Sequence, residues 1–264
     1  MKGFLINAWR YRQFILSSIQ NDLRARFARN ALGGIWMVLH PLAQVAVFAL
    51  VLSGVFAARL GGLEGPFAYA IYLTAGTMAW TLFAELVTRG QMLFIDNGNL
   101  LKKIAFPKIC LPLILSGSAL VNNSALALVA LAFYALVGHW PGWLVLWLVP
   151  LYAVVVAFGL GLGLLLGVLN VFIRDIGQMT PIVLQFWFWF TPIIYMTSIL
   201  PAGAQPWMRF NPMFHVVEGF QAVLVFKTAP ALGGLMMVAG LALGLMGLAL
   251  WCLRAAGQEM ADVL

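Results

Sequence analysis

The sequence predicts an all-α integral membrane protein with six transmembrane helices. Only 9% of its 264 residues are charged and 63% are hydrophobic, whereas about a quarter of a soluble domain is charged. The 23 residues 36–58 and the 63 residues 111–173 contain no Asp, Glu, Lys or Arg. A bilayer core is about 30 Å thick and a helix rises about 1.5 Å per residue, so roughly 20 apolar residues cross it. Residues 1–35 read as a cytoplasmic interfacial segment, and 36–264 as one six-span membrane domain.

Residues 4–24 fit an amphipathic interface helix. At about 100° per residue, Leu5, Ala8, Trp9, Ile15, Leu16, Ile19 and Leu23 fall on one side. Arg10, Gln13, Ser17, Gln20, Asn21 and Arg24 fall opposite, and Arg12 on the apolar side can snorkel. Such a helix lies in the cytoplasmic interface, as a plain anchor or as a gating element.

The first span is expected over 36–58 and the second over 67–88, with Glu85 near its end. The third and fourth share the 63-residue run. They are divided at Gly138-His139-Trp140-Pro141-Gly142, a tight interfacial turn. The fifth covers 179–196 and the sixth 230–253. Between these two, residues 195–212 contain Gly203, Pro201, Pro206 and Pro212. The apolar stretch that follows, Met213 to Phe226, is 14 residues long and too short to cross. An external re-entrant or interfacial hairpin is predicted, with Pro212, His215 and Glu218 as gate residues. Non-helical backbone at membrane depth requires protein or a water-filled lumen beside it. A helix lying flat outside is the alternative.

Basic residues set the orientation. With a cytoplasmic N-terminus, 12 of the 15 Lys and Arg lie in cytoplasmic segments and three outside, as the positive-inside rule requires. Both termini are then cytoplasmic. The same asymmetry explains the net charge of +7 without a nucleic-acid partner.

Little in the chain supports catalysis. None of its five lysines stands in Gly-Lys-Ser/Thr, so no P-loop can cradle a nucleotide. Gly159, Gly163 and Gly167 share one face of the fourth span and read as small-residue helix packing. His40, His139 and His215 have no metal-ligand spacing, and Cys110 and Cys252 make no disulfide framework. No catalytic residue, metal or resident cofactor is expected. His40 is expected to hydrogen-bond Gln44 one turn on, and Glu85 to take part in ion pairing or in a helix end.

Three further groups carry candidate roles. Phe186, Trp187, Phe188, Trp189, Phe190 and Tyr195 concentrate aromatic rings in the fifth span. Rings stack on the C–H faces of sugars, so some could line a glycan conduit; helix packing and lipid contact are the other reading. Asn99, Leu100, Leu101, Lys102, Lys103, Ile104, Phe106 and Pro107 form an apolar and basic cytoplasmic segment. Its exposed apolar residues would dock on a cytosolic partner or on the membrane surface. Arg174 and Asp175 mark the cytoplasmic junction after the fourth span. Adjacent helical residues do not face each other, so separate partners are expected.

Several of these segments resemble type-two ABC exporter permeases for polysaccharides. Arg24-Ala25-Arg26-Phe27 followed by Leu32-Gly33-Gly34-Ile35-Trp36-Met37-Val38-Leu39-His40-Pro41-Leu42 is similar to that family's entry to the first span, which normally has Asn where this chain has His40. Asn99 to Pro107 resembles its coupling segment. Asn170 to Gln178 with Phe186 to Tyr195 resembles its fourth-to-fifth span junction, and Leu200-Pro201 and Asn211-Pro212 its external segment. The nearest pattern is the O-antigen lipopolysaccharide type, with capsule and teichoic-acid permeases next.

The resemblance implies a half-transporter in the bacterial inner membrane. Two copies of the chain would form the conduit, and two copies of a separate ABC ATPase would bind ATP and Mg and drive it. The substrate would be a lipid-linked glycan. A small-molecule exporter of the same fold is one alternative. An integral-membrane glycosyltransferase or acyltransferase is a more distant one, and would need a cluster of Asp, Glu or His that the sequence lacks.

Overall fold

Among the residues described by the computed structural model, five helices are long and apolar enough to cross a membrane. The structure describes residues 9–27, 33–52, 67–99, 110–201, 203 and 205–255, and all their regular structure is helical. The helices are α1 (Arg12–Phe27), α2 (Trp36–Val47), α3 (Ala68–Asp96), α4 (Cys110–Leu136), α5 (Leu148–Phe172), α6 (Asp175–Trp189), α7 (Gln205–Met208), α8 (Pro212–Leu224) and α9 (Leu232–Ala255). A π-helical turn, Phe48–Leu52, extends α2, and a 3-10 turn, Gly142–Trp147, leads into α5.

The expected fifth span differs in the structure. The helix starts earlier, at Asp175, and stops at Trp189. Its 15 residues reach about 22 Å, short of the roughly 30 Å hydrocarbon core. The start is favoured by Asp175 in the first turn, where a carboxylate complements the helix dipole. The end is set by Pro192, which disfavours helical backbone at Thr191. The apolar run continues to Ile194, so composition alone reads a longer span.

α3 is buried on nearly every face and packs most extensively on α5, then on α4 and α8. The α3–α5 contact is a meeting of backbones. Gly159, Gly163 and Gly167 recur every fourth residue and so lie on one face of α5. A Cβ at Gly163 would lie 2.7 Å from the Leu86 carbonyl oxygen, and one at Gly167 would lie 2.5 Å from that of Gly90. Apolar burial gives no driving force between helices in lipid, so this close van der Waals approach supplies the attraction. The packing reading of the glycines holds. Beside them Phe83 of α3 stacks on Phe158 of α5, with centroids 5.2 Å apart.

α1 docks on α4, with Ile19 against Gly117. The inward stripe of α1 and the turn before it is Tyr11, Ile15, Ser18, Ile19, Asp22, Leu23 and Arg26, while Trp9 and Leu16, expected on the apolar side, are exposed; Leu5 and Ala8 of the expected helix lie outside the described residues. The stripe combines three aliphatic residues with two charges because it meets charges on α3. Arg26 Nη2 donates to Glu85 Oε1 at 2.7 Å, and Arg89 Nη2 to Asp22 Oδ2 at 2.8 Å. Arg26–Asp22 and Arg89–Glu85 close the ring at 3.5 and 3.3 Å. Each pair is also spaced four residues along its own helix, the spacing at which side chains meet. Asn122 Nδ2 donates to Glu85 Oε2 at 2.9 Å, and Arg89 Nη1 to Ser118 Oγ at 2.8 Å, which ties α4 into the ring. Glu85 is thus an ion-pairing residue, as expected.

The turn between α4 and α5 reaches the end of α8. His139 Nε2–H donates to the carbonyls of Leu224 and Val225 at 3.1 and 3.0 Å. Burial, then the Lys227 charge, lowers the His139 pKa below 6.5, against the opposing pull of those two hydrogen bonds. A depressed histidine pKa means that folding prefers the neutral ring. The stability is intact above about pH 6.5 and declines as pH falls toward the lower folded value.

Gly163→Val is expected to force α3 and α5 apart and lower the folded yield, at a cost of about 1–3 kcal/mol or more. Gly240→Ala, with open space around the new methyl, should leave thermal unfolding in detergent unchanged. Equal effects would remove the backbone contact as the organising one. For the charge ring, a double-mutant cycle of Arg26→Ala and Glu85→Ala should show coupling of about 0.5–3 kcal/mol; strict additivity would mean that the pair does not hold α1. For His139, Tm should fall between pH 7 and pH 5.5, and His139→Gln should flatten that slope.

Candidate functional site

Two regions concentrate polar and aromatic groups inside otherwise apolar helices. The first is a groove of about 410 Å³ between α2, α3 and α4. Its α2 wall carries Trp36, His40 and Gln44, and the opposite wall Thr81, Glu85, Asn122 and Asn123. Four-residue spacing puts His40 and Gln44 on one face of α2, but no hydrogen bond joins them among the described residues, contrary to expectation. Asn122 and Asn123 stand at the middle of the 27-residue α4. Glu85 is about 16 Å along α3 from its Asp96 end, taking 1.5 Å per residue. A second, more open cavity of about 640 Å³ lies on the charged side, walled by Asp22, Arg26, Glu85 and Arg89. Glu85 is common to both.

The second region is the bend after α6. Tyr69 Oη donates to the Ile194 carbonyl at 2.9 Å, and Tyr72 Oη lies 3.1 and 2.9 Å from the carbonyls of Pro192 and Tyr195. Gln221 Nε2 donates to the Pro192 carbonyl at 3.2 Å. Carbonyls that α6 cannot use are therefore satisfied by α3 and α8. Asn211 joins the two arms of the bend. Its Oδ1 caps α8 by accepting from Met213 N at 3.0 Å, and accepts from Trp187 Nε1 at 2.8 Å. Its Nδ2 donates to the Phe190 carbonyl and to Thr191 Oγ1 at 3.2 and 3.0 Å. Asn as N-cap followed by Pro212 in the first turn is a strong local helix start. α8 then buries Met213, Val216, Val217 and Phe220 among α3, α5 and α9.

The structure separates the aromatic candidates into two groups. Trp187 packs on Phe83, Trp80 and Phe158, and Phe188 on Trp80, so these rings are structural within the chain. Phe186, Trp189 and Phe190 are 64%, 58% and 64% exposed, and Tyr195 Oη donates to the Trp189 carbonyl at 3.0 Å. Trp187, Phe190, Trp207 and Asn211 wall an apolar cavity of about 440 Å³. Pro212 begins α8 and Glu218 is exposed on it; His215 Nε2–H donates to the Arg209 carbonyl at 2.8 Å, with its ring against Gly234.

Arg174 and Asp175 are exposed, and neither forms an ion pair among the described residues. The junction is held instead by Asn170, whose Nδ2 donates to the Gln91 carbonyl at 3.0 Å and whose Oδ1 accepts from Gly177 N at 2.9 Å. Of the coupling segment only Asn99 is described, and it is exposed. Leu100, Leu101, Lys102, Lys103, Ile104, Phe106 and Pro107 lie outside the described residues.

Sequence reasoning passed over Asp22, Arg26, Arg89, Asn122, Asn123 and Gln44 as a group. Signals were present: two acid–Arg pairs at four-residue spacing, and two adjacent Asn in an apolar helix. What was missing is the long-range pairing across 59 and 67 residues of chain.

Residues 13–225 match the ABC-2 type transporter family. The chain is 27% identical over 256 residues to the O-antigen export system permease protein RfbA of Myxococcus xanthus, covering 96% of each. It is 25% identical over 211 residues to RfbA of Klebsiella pneumoniae, covering 78% of each. With the polysialic acid transport protein KpsM of Escherichia coli it shares 21% over 211 residues, 75% of each. On a match that runs from α1 through the end of α8, across the charge ring, the groove and the Asn211 bend, the chain belongs to the ABC-2 type transporter family.

Proposed function

We propose that the chain is the membrane-spanning permease half of an ABC exporter for a lipid-linked, O-antigen-like polysaccharide. The observation that carries this is the similarity to an O-antigen export permease over 96% of both chains. Long apolar helices tied together by hydrogen-bonded helix ends fit a transport body. The relative named for polysialic acid transport keeps a capsule-type glycan as the second reading.

The chain has no P-loop, so a separate ABC ATPase binds ATP and Mg and supplies the energy. Two permease chains and two ATPase chains form the working unit. The basic residues orient it in the bacterial inner membrane with both termini cytoplasmic. Asn99 to Pro107 docks on the ATPase. The charge ring supports this side assignment, because it joins the basic N-terminal helix α1 to the half of α3 that ends at Asp96.

Six crossings result when α6 and the bend after it are counted together. The bend supports a re-entrant hairpin: Pro192 is held by Tyr72, four residues into α3, and Ile193 packs on Gly76. These positions are about 6–12 Å inside the helix end. The exposed rings Phe186, Trp189 and Phe190 supply weak stacking contacts along a seam between two copies, with Pro212, His215 and Glu218 at its external mouth. A polymer moves when no single contact grips it, and aromatic contacts of about 0.5–1.5 kcal/mol each suit that need.

Cells lacking the chain should lose the surface glycan and accumulate it in lipid-linked form inside. Wild-type protein should restore export. Leu101→Asp and Phe106→Asp proteins should reach the membrane but fail to restore export or to co-purify with the ATPase. Surface glycan persisting without the chain would end the transport reading, and normal co-purification of both variants would end the docking assignment.

A further inference from the structure

We propose that the polar groove between α2, α3 and α4 is a binding site for one pyranose unit of the exported glycan. It rests on the polysaccharide-export reading and adds a site within each copy, distinct from the aromatic seam. The groove lies at the middle of α4, where polar groups without partners are costly. Asn123 is 4% exposed. Its Nδ2 donates to the Met78 carbonyl at 3.3 Å and to Thr81 Oγ1 at 2.9 Å. A carbonyl only accepts, so the amide orientation is fixed, and Oδ1 has no donor among the described residues. Across the groove, His40 and Gln44 likewise make no hydrogen bond among the described residues.

The chemistry selects a neutral, hydroxyl-rich occupant. Among the described residues no Lys or Arg stands on the wall, and the nearby Arg26 and Arg89 are already paired with Asp22 and Glu85. An anion such as a diphosphate finds no free cation among the described residues of the wall. Sugar hydroxyls both donate and accept. The Gln44 and Asn122 amides and the Glu85 carboxylate supply the complementary groups. Trp36, 41% exposed, offers a flat apolar face to the C–H side of a ring. The volume of about 410 Å³ is within the range of small-ligand pockets, about 300–1,000 Å³.

The test uses the full permease–ATPase complex in membrane vesicles, with Cys110 and Cys252 replaced by Ala. Gln44→Cys is labelled with a small water-soluble methanethiosulfonate reagent. Vesicles come from cells that make the lipid-linked glycan and from cells lacking the glycosyltransferase that starts it. Labelling should be about tenfold slower when the glycan is present, while Ala229→Cys, in the exposed loop after α8, should label equally in both. Equal rates for Gln44→Cys would mean a groove that holds water only, and no labelling in either would mean a closed groove; each overturns the proposal. If Gln44→Cys fails to assemble by size exclusion, Asn122→Cys is read by the same criteria. Surface glycan in cells without the chain would instead overturn the export reading itself.

Discussion

Everything else in this fold is placed by the contact between α3 and α5. The two backbones meet at Gly90, Gly163 and Gly167, where no Cβ intervenes. In a bilayer, lipid competes equally well for apolar side chains, so close approach is what separates a helix pair from two helices in lipid. With α5 fixed on one side of α3, the other sides remain for α4, α8 and α6. The Phe83–Phe158 stack continues the same contact and receives Trp187. Thus the glycine face also positions the helix that carries the candidate conduit rings.

A second constraint acts on polar groups. In hydrocarbon a polar group needs a partner within the protein, and at several helix ends the chain supplies one by tying the ends together. Asn170 joins α5, α3 and the start of α6, while Asn211 joins the end of α6 to the start of α8. Tyr72 and Gln221 satisfy the carbonyls left when α6 stops early. The short helix and its bend are therefore stable irregularities, held by hydrogen bonds from three elements. The charge ring follows the same logic at a wetter level: side chains 16–31% exposed, two acids and two Arg, with no net charge. It gives α1 a specific seat, which an apolar stripe on lipid would not.

The aromatic run shows how one local pattern serves two purposes. Trp187 and Phe188 face the α3 core, while Phe186, Trp189 and Phe190 face away. Consecutive residues in a helix point about 100° apart, so a block of five rings necessarily divides. Density of rings is visible in a sequence; the face that each one takes depends on where α3 lies.

Much of the fold was legible from residue order. Long apolar runs located α2, α3, α4, α5 and α9, because the thickness of a bilayer converts directly into a count of apolar residues. Gly138 to Gly142 marked the turn, and four-residue glycine spacing marked the packing face. Apolar length did not place the end of α6, because Pro192 and the bonds from Tyr72 stop the helix while the residues stay apolar. Nor did periodicity foresee the seat of α1, since its inward stripe includes Asp22 and Arg26. Those charges belong inside only because Glu85 and Arg89 meet them across 59 to 67 residues of chain. The same holds for the groove: His40, Gln44, Asn122 and Asn123 are isolated polar residues in three separate apolar runs until α2, α3 and α4 pack. Composition and spacing determined that the chain has helices of membrane-crossing length and where their small faces lie, since both are local properties. Tertiary structure alone decided which polar groups share a site, because that depends on contacts between distant parts of the chain.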